Sequence, residues 1–114
     1  MNMDFHVHGL LSNRKDFNKE FFINEIYFAK SNGLNGIILC EHFNAKDFLV
    51  IYDFLEKNFI YEGDRYIVEG ISVFPGMEVS IKYKGHVILA GERENIIDIY
   101  DLLKAFREKD NLIE

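Results

Sequence analysis

The sequence predicts an α/β fold in which a largely parallel sheet carries helices packed on its outside. Segments with strand character alternate with amphipathic helical segments, in the order β-α-β-α-β-β-α. The run Gly36–Cys40 is apolar throughout, as is typical of a parallel strand buried on both faces. Hydrophobic residues make up 48% of the 114 residues, which is enough for a single packed domain spanning 1–114.

The first half of the chain is predicted to contain two strands and two helices. Residues 3–8 alternate between polar and apolar side chains, which indicates a strand. The polar stretch 12–18 ends it, and apolar residues then recur at helical spacing over Lys19–Ser31 before the stop at Asn32-Gly33. After the strand Gly36–Cys40, a second apolar stripe predicts a helix over Ala45–Asn58, and its residues are Phe48, Leu49, Tyr52 and Leu55.

The second half is predicted to contain a hairpin and a third helix. Tyr61–Glu69 is interpreted as a polar connector. Two strands, Ser72–Lys82 and His86–Gly91, flank a turn at Tyr83-Lys84-Gly85. The last element is a helix over Ile96–Glu108.

Composition narrows the range of functions. The net charge of −6 disfavours binding to nucleic acid or to an anionic membrane. The longest apolar runs are far shorter than the ~20 residues that a membrane-spanning helix needs. The single cysteine, Cys40, excludes an intrachain disulfide, and no basic leader precedes an apolar stretch. We therefore expect a cytoplasmic protein without membrane partners.

Chemistry-bearing residues gather at the predicted ends of strands, where α/β proteins place their functional groups. The four clusters contain all four histidines of the chain: Asp4/His6/His8, Glu41-His42, Glu78 and His86. Imidazole and carboxylate together are ligands for Zn, Mn or Fe. The pattern predicts that these groups meet in one metal-binding pocket.

Each cluster also has a structural interpretation when it is taken alone. A single His-x-His pair is a weak metal signal, and Glu41-His42 alone is better explained as a helix-start acid beside a solvated imidazole. Strand alternation puts Glu78 and Ser80 on the face opposite Met77, Val79 and Ile81, which fits solvent as well as a barrel interior, and His86 fits a strand edge. Cys40 is interpreted as a small buried residue rather than a ligand. The separate structural interpretations explain the four clusters less well when they are taken together, because all four fall at predicted strand ends.

The hairpin turn decides whether Glu78 and His86 share a face. A three-residue loop, Tyr83–Gly85, would pair Lys82 with His86 and put Glu78 on the same face as His86. A two-residue loop at Tyr83-Lys84 would put them on opposite faces. The metal-site hypothesis therefore requires the longer loop or a bulge.

Taken together, these segments resemble the polymerase and histidinol phosphatase (PHP) family. Asp4-Phe-His6-Val-His8 is similar to its Asp-x-His-x-His motif, and Cys40-Glu41-His42 to its Thr-Asp-His motif. Pro75-Gly76-Met77-Glu78 resembles its Pro-Gly-x-Glu motif, and Gly85-His86 the Gly-His strand that often follows. The resemblance spans about residues 4–91.

The resemblance implies a partial distorted β/α barrel of the amidohydrolase-like kind and a centre of two or three divalent metal ions (Zn, Mn or Fe). It implies that His6 and His8 bind one metal, that Glu78 bridges two, that His86 completes the second and that His42 serves a third. Asp4 would orient a ligand histidine from behind. Glu41 and Asn13 are weaker candidate ligands.

The activity implied by the resemblance is hydrolysis of a phosphate ester by metal-bound hydroxide, on a phosphorylated small molecule or a nucleotide. Family members continue into further βα units that end in an Asp-x-His, which this sequence lacks. We therefore expect the chain to lack the C-terminal part of the family barrel and its last metal ligands. A homo-oligomer, or a C-terminal segment supplied in trans, would complete it. The alternative is a degenerate, non-catalytic metal-binding or interaction module.

Overall fold

Six strands and four helices make up the part of the chain that the computed structural model describes, residues 2–7, 16–81 and 85–108. For residues 4–7 and 107–108 only the backbone is described. In chain order the elements are β1 (Met3–Val7), α1 (Lys19–Ser31), β2 (Gly36–Leu39), α2 (Phe48–Asn58), β3 (Ile60–Glu62), β4 (Arg65–Val68), β5 (Ile71–Ile81), β6 (Gly85–Ala90), α3 (Arg93–Leu102) and α4 (Lys104–Glu108).

Helix α1 has the predicted bounds, and local capping explains them. The side-chain oxygen of Asn18 accepts a hydrogen bond from the backbone N–H of Phe21 at 3.0 Å, which satisfies one of the amides left over at a helix start. Glu20 lies in the first turn and Lys30 in the last, so both charges complement the helix dipole.

The other two predicted helices have different bounds. Helix α2 begins at Phe48 instead of Ala45, because the preceding residues form tight turns in which Ala45 N–H donates to the His42 carbonyl at 3.0 Å. The third helix begins at Arg93 instead of Ile96 and divides at Leu103. The Leu103 N–H is shared between the carbonyls of Ile99 and Tyr100, a tightening that is common where a helix ends.

The interpretation of Tyr61–Glu69 as a connector is wrong, because this segment contributes to two strands. β3 and β4 pair antiparallel around the two-residue turn Gly63-Asp64, where Gly63 has a φ of 67°. A second tight turn at Glu69-Gly70, with φ values of 51° and 82°, joins β4 to β5. Turns of this kind suit the right-handed twist of paired strands.

The sheet is mixed rather than largely parallel. Its order is β1-β2-β5-β4-β3, and β6 also pairs with β5. The pairs β1–β2 and β2–β5 are parallel, whereas β3–β4, β4–β5 and β5–β6 are antiparallel. Within the described residues the order is open, so the predicted partial β/α barrel is wrong.

One hydrophobic core joins the sheet to the helices. Alternate residues of each central strand enter one hydrophobic cluster, which also holds the buried residues of α1, α2 and α3. The sheet residues in this cluster are Ile37, Leu39, Tyr66, Val68, Ile71, Val73, Met77 and Val79. These helices therefore pack on one face of the sheet, and the core lies between them and the strands.

The opposite face of the sheet carries half-buried apolar and polar side chains. Ile38 of β2 and Phe74 of β5 lie there, and the guanidinium of Arg65 stacks over the Phe74 ring at 4.6 Å. We call this surface the open face. Among the helices that the structure describes, none is long and apolar enough to cross a membrane.

Candidate functional site

The second half of β5 carries the candidate site, because it is held against the segment that follows β2. His42 forms an isolated parallel bridge with Glu78. The backbone N–H of Glu78 donates to the Glu41 carbonyl, and the Phe43 N–H donates to the Glu78 carbonyl, both at 2.8 Å. The bridge therefore fixes His42 and Glu78 side by side, although 36 positions separate them in the sequence.

Glu78 lies between two imidazole rings on the open face. Its Oε2 is 2.6 Å from Nδ1 of His42 and 3.8 Å from Nδ1 of His86. The two rings are 6.1 Å apart between centroids. The Glu78 side chain is only 3% exposed, whereas His42 is 30% and His86 56% exposed. The buried carboxylate of Glu78 therefore lies next to a partly exposed imidazole, that of His42, and near a largely exposed one, that of His86.

The register of β5 and β6 brings His86 to this face. Ile81 pairs with Gly85 and Ser80 with His86, so three residues separate the paired ends. Of the two alternatives, the register therefore has the three-residue spacing that the metal-site hypothesis requires, and Glu78 and His86 share a face. The partner of His86 is Ser80 and not Lys82, because Gly85 already pairs with Ile81.

Ser80 is a site residue that the sequence analysis placed on the correct face without assigning it a role. Its Oγ lies 2.9 Å from Nδ1 of His86. Glu78 also approaches His86 from the Nδ1 side. A nucleophilic serine relay needs the hydroxyl and the acid on opposite ring nitrogens. The three residues therefore do not form such a relay, and Ser80 instead orients the His86 ring.

Tyr52 is a second residue that the sequence analysis missed, because its spacing assigned it to the apolar stripe of α2. Its hydroxyl donates to the Gly76 carbonyl at 2.8 Å and accepts from the Gly76 N–H at 3.0 Å. It thereby fills a gap in the ladder between the Leu39–Pro75 pair and the His42–Glu78 bridge. Burial raises the pKa of this hydroxyl above its ordinary value, so it remains protonated.

Glu41 and Cys40 lie just before this bridge. Glu41 is 1% exposed, and one of its carboxylate oxygens accepts a hydrogen bond from the His42 N–H at 3.1 Å. It therefore supports the backbone that carries His42. Cys40 is fully buried, as the sequence predicted.

The remaining predicted site residues are described in part or not at all. Asp4 and His6 lie in β1, and their side chains are outside the described residues, as are His8 and Asn13 altogether. β1, β2 and β5 run parallel, so their carboxyl ends lie at one edge of the sheet. The backbone of His6 is therefore near the edge that carries His42 and Glu78.

A ready-made metal site is absent from the described part of the chain. Among the residues whose side chains are described, 2–3, 16–81 and 85–106, no group of three or more His, Cys, Asp or Glu is arranged so that it could hold a metal ion. The structure brings Glu78, His42 and His86 together, whereas the predicted ligand roles stay predictions.

Comparison with known proteins yields a likeness of fold. No family model matches the chain, and no curated protein matches its sequence. Among solved structures, the crystal structure of PsfC from Pseudomonas syringae PB-5123 is similar, with a TM-score of 0.75 and 24% identity. The likeness covers 85% of this chain and 43% of PsfC, so the chain spans less than half the length of that protein.

Proposed function

We propose that this protein is a metal-dependent phosphoesterase whose site is built around Glu78. One observation carries the proposal: a carboxylate that is 3% exposed lies between the imidazoles of His42 and His86 on the open face of the sheet. Burying a carboxylate is costly unless charged or hydrogen-bonding groups compensate it. A site that retains such a group next to two imidazoles is typical of a functional centre.

The donor atoms suit divalent metal ions. Two imidazoles and a carboxylate are the ligands that Zn, Mn and Fe accept. His42 turns its Nδ1 toward Glu78, and His86 turns its Nδ1 toward Ser80. A contact at one ring nitrogen fixes the orientation of an imidazole, which is how proteins position histidine ligands.

The chain's own residues would orient the reactants. The backbone bridge holds Glu78 in place, and Glu41 supports the backbone N–H of His42. Because His86 is exposed, a phosphate ester that approaches the open face can reach its imidazole. Metal ions at such a site supply an acidified water and positive charge for the phosphate oxygens.

The motif resemblance supports the same reaction. The segments that resemble the PHP family include His42, Glu78 and His86, the three residues that the structure brings together. We propose a phosphorylated small molecule or a nucleotide as the substrate, a cytoplasmic location, and no membrane or nucleic-acid partner. His6 and His8 are proposed to add ligands from the end of β1, with Asp4 behind them.

The second candidate is a non-catalytic module that keeps the site residues without turnover. It is favoured by the contacts within the site, because Glu78 bonds His42 and Ser80 bonds His86. The two candidates differ in one measurable property, because the module binds metal or a partner without hydrolysing any phosphate ester.

Purified protein saturated with Zn or Mn is assayed with p-nitrophenyl phosphate and a panel of phosphorylated metabolites, and its metal content is measured in parallel. We expect Glu78→Gln and His86→Asn to lose both bound metal and hydrolysis, and the control Glu92→Gln, at an exposed position, to retain both. Metal binding that depends on Glu78 without hydrolysis would establish the module. Wild-type protein that neither binds metal nor hydrolyses an ester would rule out both candidates.

A further inference from the structure

β6 is an outer strand that lacks the usual protection of an exposed edge. Among the described strands it pairs with β5 alone. Its sequence, Gly-His-Val-Ile-Leu-Ala, contains no Asp, Glu, Lys, Arg or Pro. Val87 is 38% exposed on the helix-covered face, and Ile88 is 37% exposed on the open face. Natural proteins normally blunt such an edge with charge, proline or a bulge.

The hydrogen-bond pattern shows which backbone groups β6 presents outward. Glu78 uses its N–H and its C=O toward residues 41 and 43, so its pair with Ile88 is not hydrogen-bonded. The flanking pairs, Met77 with Leu89 and Val79 with Val87, take the bonds between β5 and β6. The N–H and C=O groups of His86, Ile88 and Ala90 therefore point away from β5.

We propose that β6 pairs antiparallel with β6 of a second copy of this chain, with the two-fold axis at Ile88. In this register Ile88 faces its own copy and His86 faces Ala90. All three outward residues then exchange both backbone bonds, which gives the largest number available to the described strand. In this register the even-numbered residues of β6 pair with even-numbered residues of the second copy. The open faces of the two sheets therefore become continuous.

Charge favours β6 over the other outer strands as the edge that pairs with a second copy. The chain carries a net charge of −6, and the other outer strands contain acids: Asp4 in β1 and Glu62 in β3. Pairing either of those strands with its own copy would bring acids together. β6 has no charged residue to repel a copy of itself and none to recognise a basic or acidic peptide. A closed two-fold dimer is also the commonest oligomer of soluble proteins.

The test is the solution mass of the full chain, measured by light scattering over a micromolar concentration series at physiological salt. We expect twice the monomer mass of 13.4 kDa. Ile88→Pro removes an outward-facing N–H that β5 does not use, and Ile88→Lys adds charge at the axis; both should yield the monomer mass. The control Leu102→Lys changes an exposed apolar residue of α3 and should leave the mass doubled.

Cysteine cross-linking tests the register independently. Ile88→Cys should form a disulfide-linked dimer under mild oxidation, whereas His86→Cys and Ala90→Cys should cross-link only when the two variants are mixed. Wild-type protein gives the background from buried Cys40. A wild-type monomer at every concentration, a dimer that both Ile88 substitutions leave intact, or a different cross-linking pattern would overturn the proposal.

Discussion

The Oε2 of Glu78 and the Nδ1 of His42 lie 2.6 Å apart because the two residues are partners across a single parallel bridge. Side chains at paired positions of neighbouring strands project to the same side of the sheet. The bridge is separated from the rest of the β2–β5 ladder by the hydroxyl of Tyr52, which bonds both backbone groups of Gly76. The site is therefore coupled to the helix that supplies Tyr52.

Tyr52→Phe should destabilise the protein strongly for so small a change. It removes one oxygen and leaves the buried N–H and C=O of Gly76 without their shared partner. Each unsatisfied buried group costs about 1–3 kcal/mol, so for these two groups we expect a loss of about 2–6 kcal/mol in the free energy of unfolding. Urea unfolding measures it, with Tyr27→Phe, at an exposed residue of α1, as the control. Equal stability of the two variants would contradict the role of the hydroxyl.

Gly76→Ala should also be destabilising, for a steric reason. A Cβ at Gly76 would lie 2.8 Å from the Leu39 carbonyl oxygen, 2.9 Å from the Leu89 carbonyl oxygen and 2.8 Å from a methyl of Ile38. Backbone atoms of two neighbouring strands cannot give way cheaply, so we expect a cost of about 1–3 kcal/mol. Thermal unfolding measures it, and Gly91→Ala, where a Cβ meets nothing within 4 Å, should be close to neutral.

Ser80→Ala should weaken metal binding if Ser80 orients His86 as proposed. The Oγ of Ser80 lies 2.9 Å from Nδ1 of His86, and loss of such a supporting bond typically costs about 10–100-fold in metal affinity. Calorimetric titration with Zn measures the change. Ser72→Ala is the matched control, because Ser72 lies on the same face of β5 without a contact to His86 in the described hydrogen bonds. If Ser80→Ala bound Zn with unchanged affinity, the proposal that Ser80 orients His86 for metal binding would be wrong.

The protein should lose stability at alkaline pH in a window set by Tyr66. Burial raises the pKa of the Tyr66 hydroxyl from 10.0 to about 12, even though Arg93 acts in the opposite direction. The folded state then binds more protons than the unfolded state above pH 10, so this contribution is full below pH 10 and is lost as pH rises through about 12.

Unfolding by urea at several pH values in this window provides the measurement. Tyr66→Phe has no hydroxyl to ionise, so its free energy of unfolding should decline less steeply than that of the wild type. The decline should persist in part, because burial also raises the pKa of Tyr52. If the free energy of unfolding declined equally with pH in wild type and Tyr66→Phe, the pKa of Tyr66 would be the same in the folded and unfolded states.

Local patterns in the sequence determined those features that depend on near neighbours. The cap at Asn18 fixed the start of α1, and Asn32-Gly33 marked its end. Strand alternation placed Glu78 and Ser80 on one face of β5, which the pairing with β6 confirms. The Gly63-Asp64 turn was also visible, as a two-residue glycine turn between aromatic and β-branched residues, and was missed because the charged residues around it favoured a connector.

Only the tertiary structure decided how the strands pair and which residues meet at the site. Apolar strands look alike in parallel and in antiparallel pairs, so the sequence could not exclude a barrel, and the open, mixed strand order of the described residues did. The hydroxyl of Tyr52 and the contact between Glu78 and His42 join residues at least 24 positions apart. Such contacts arise from strand register, which depends on the packing of the whole domain.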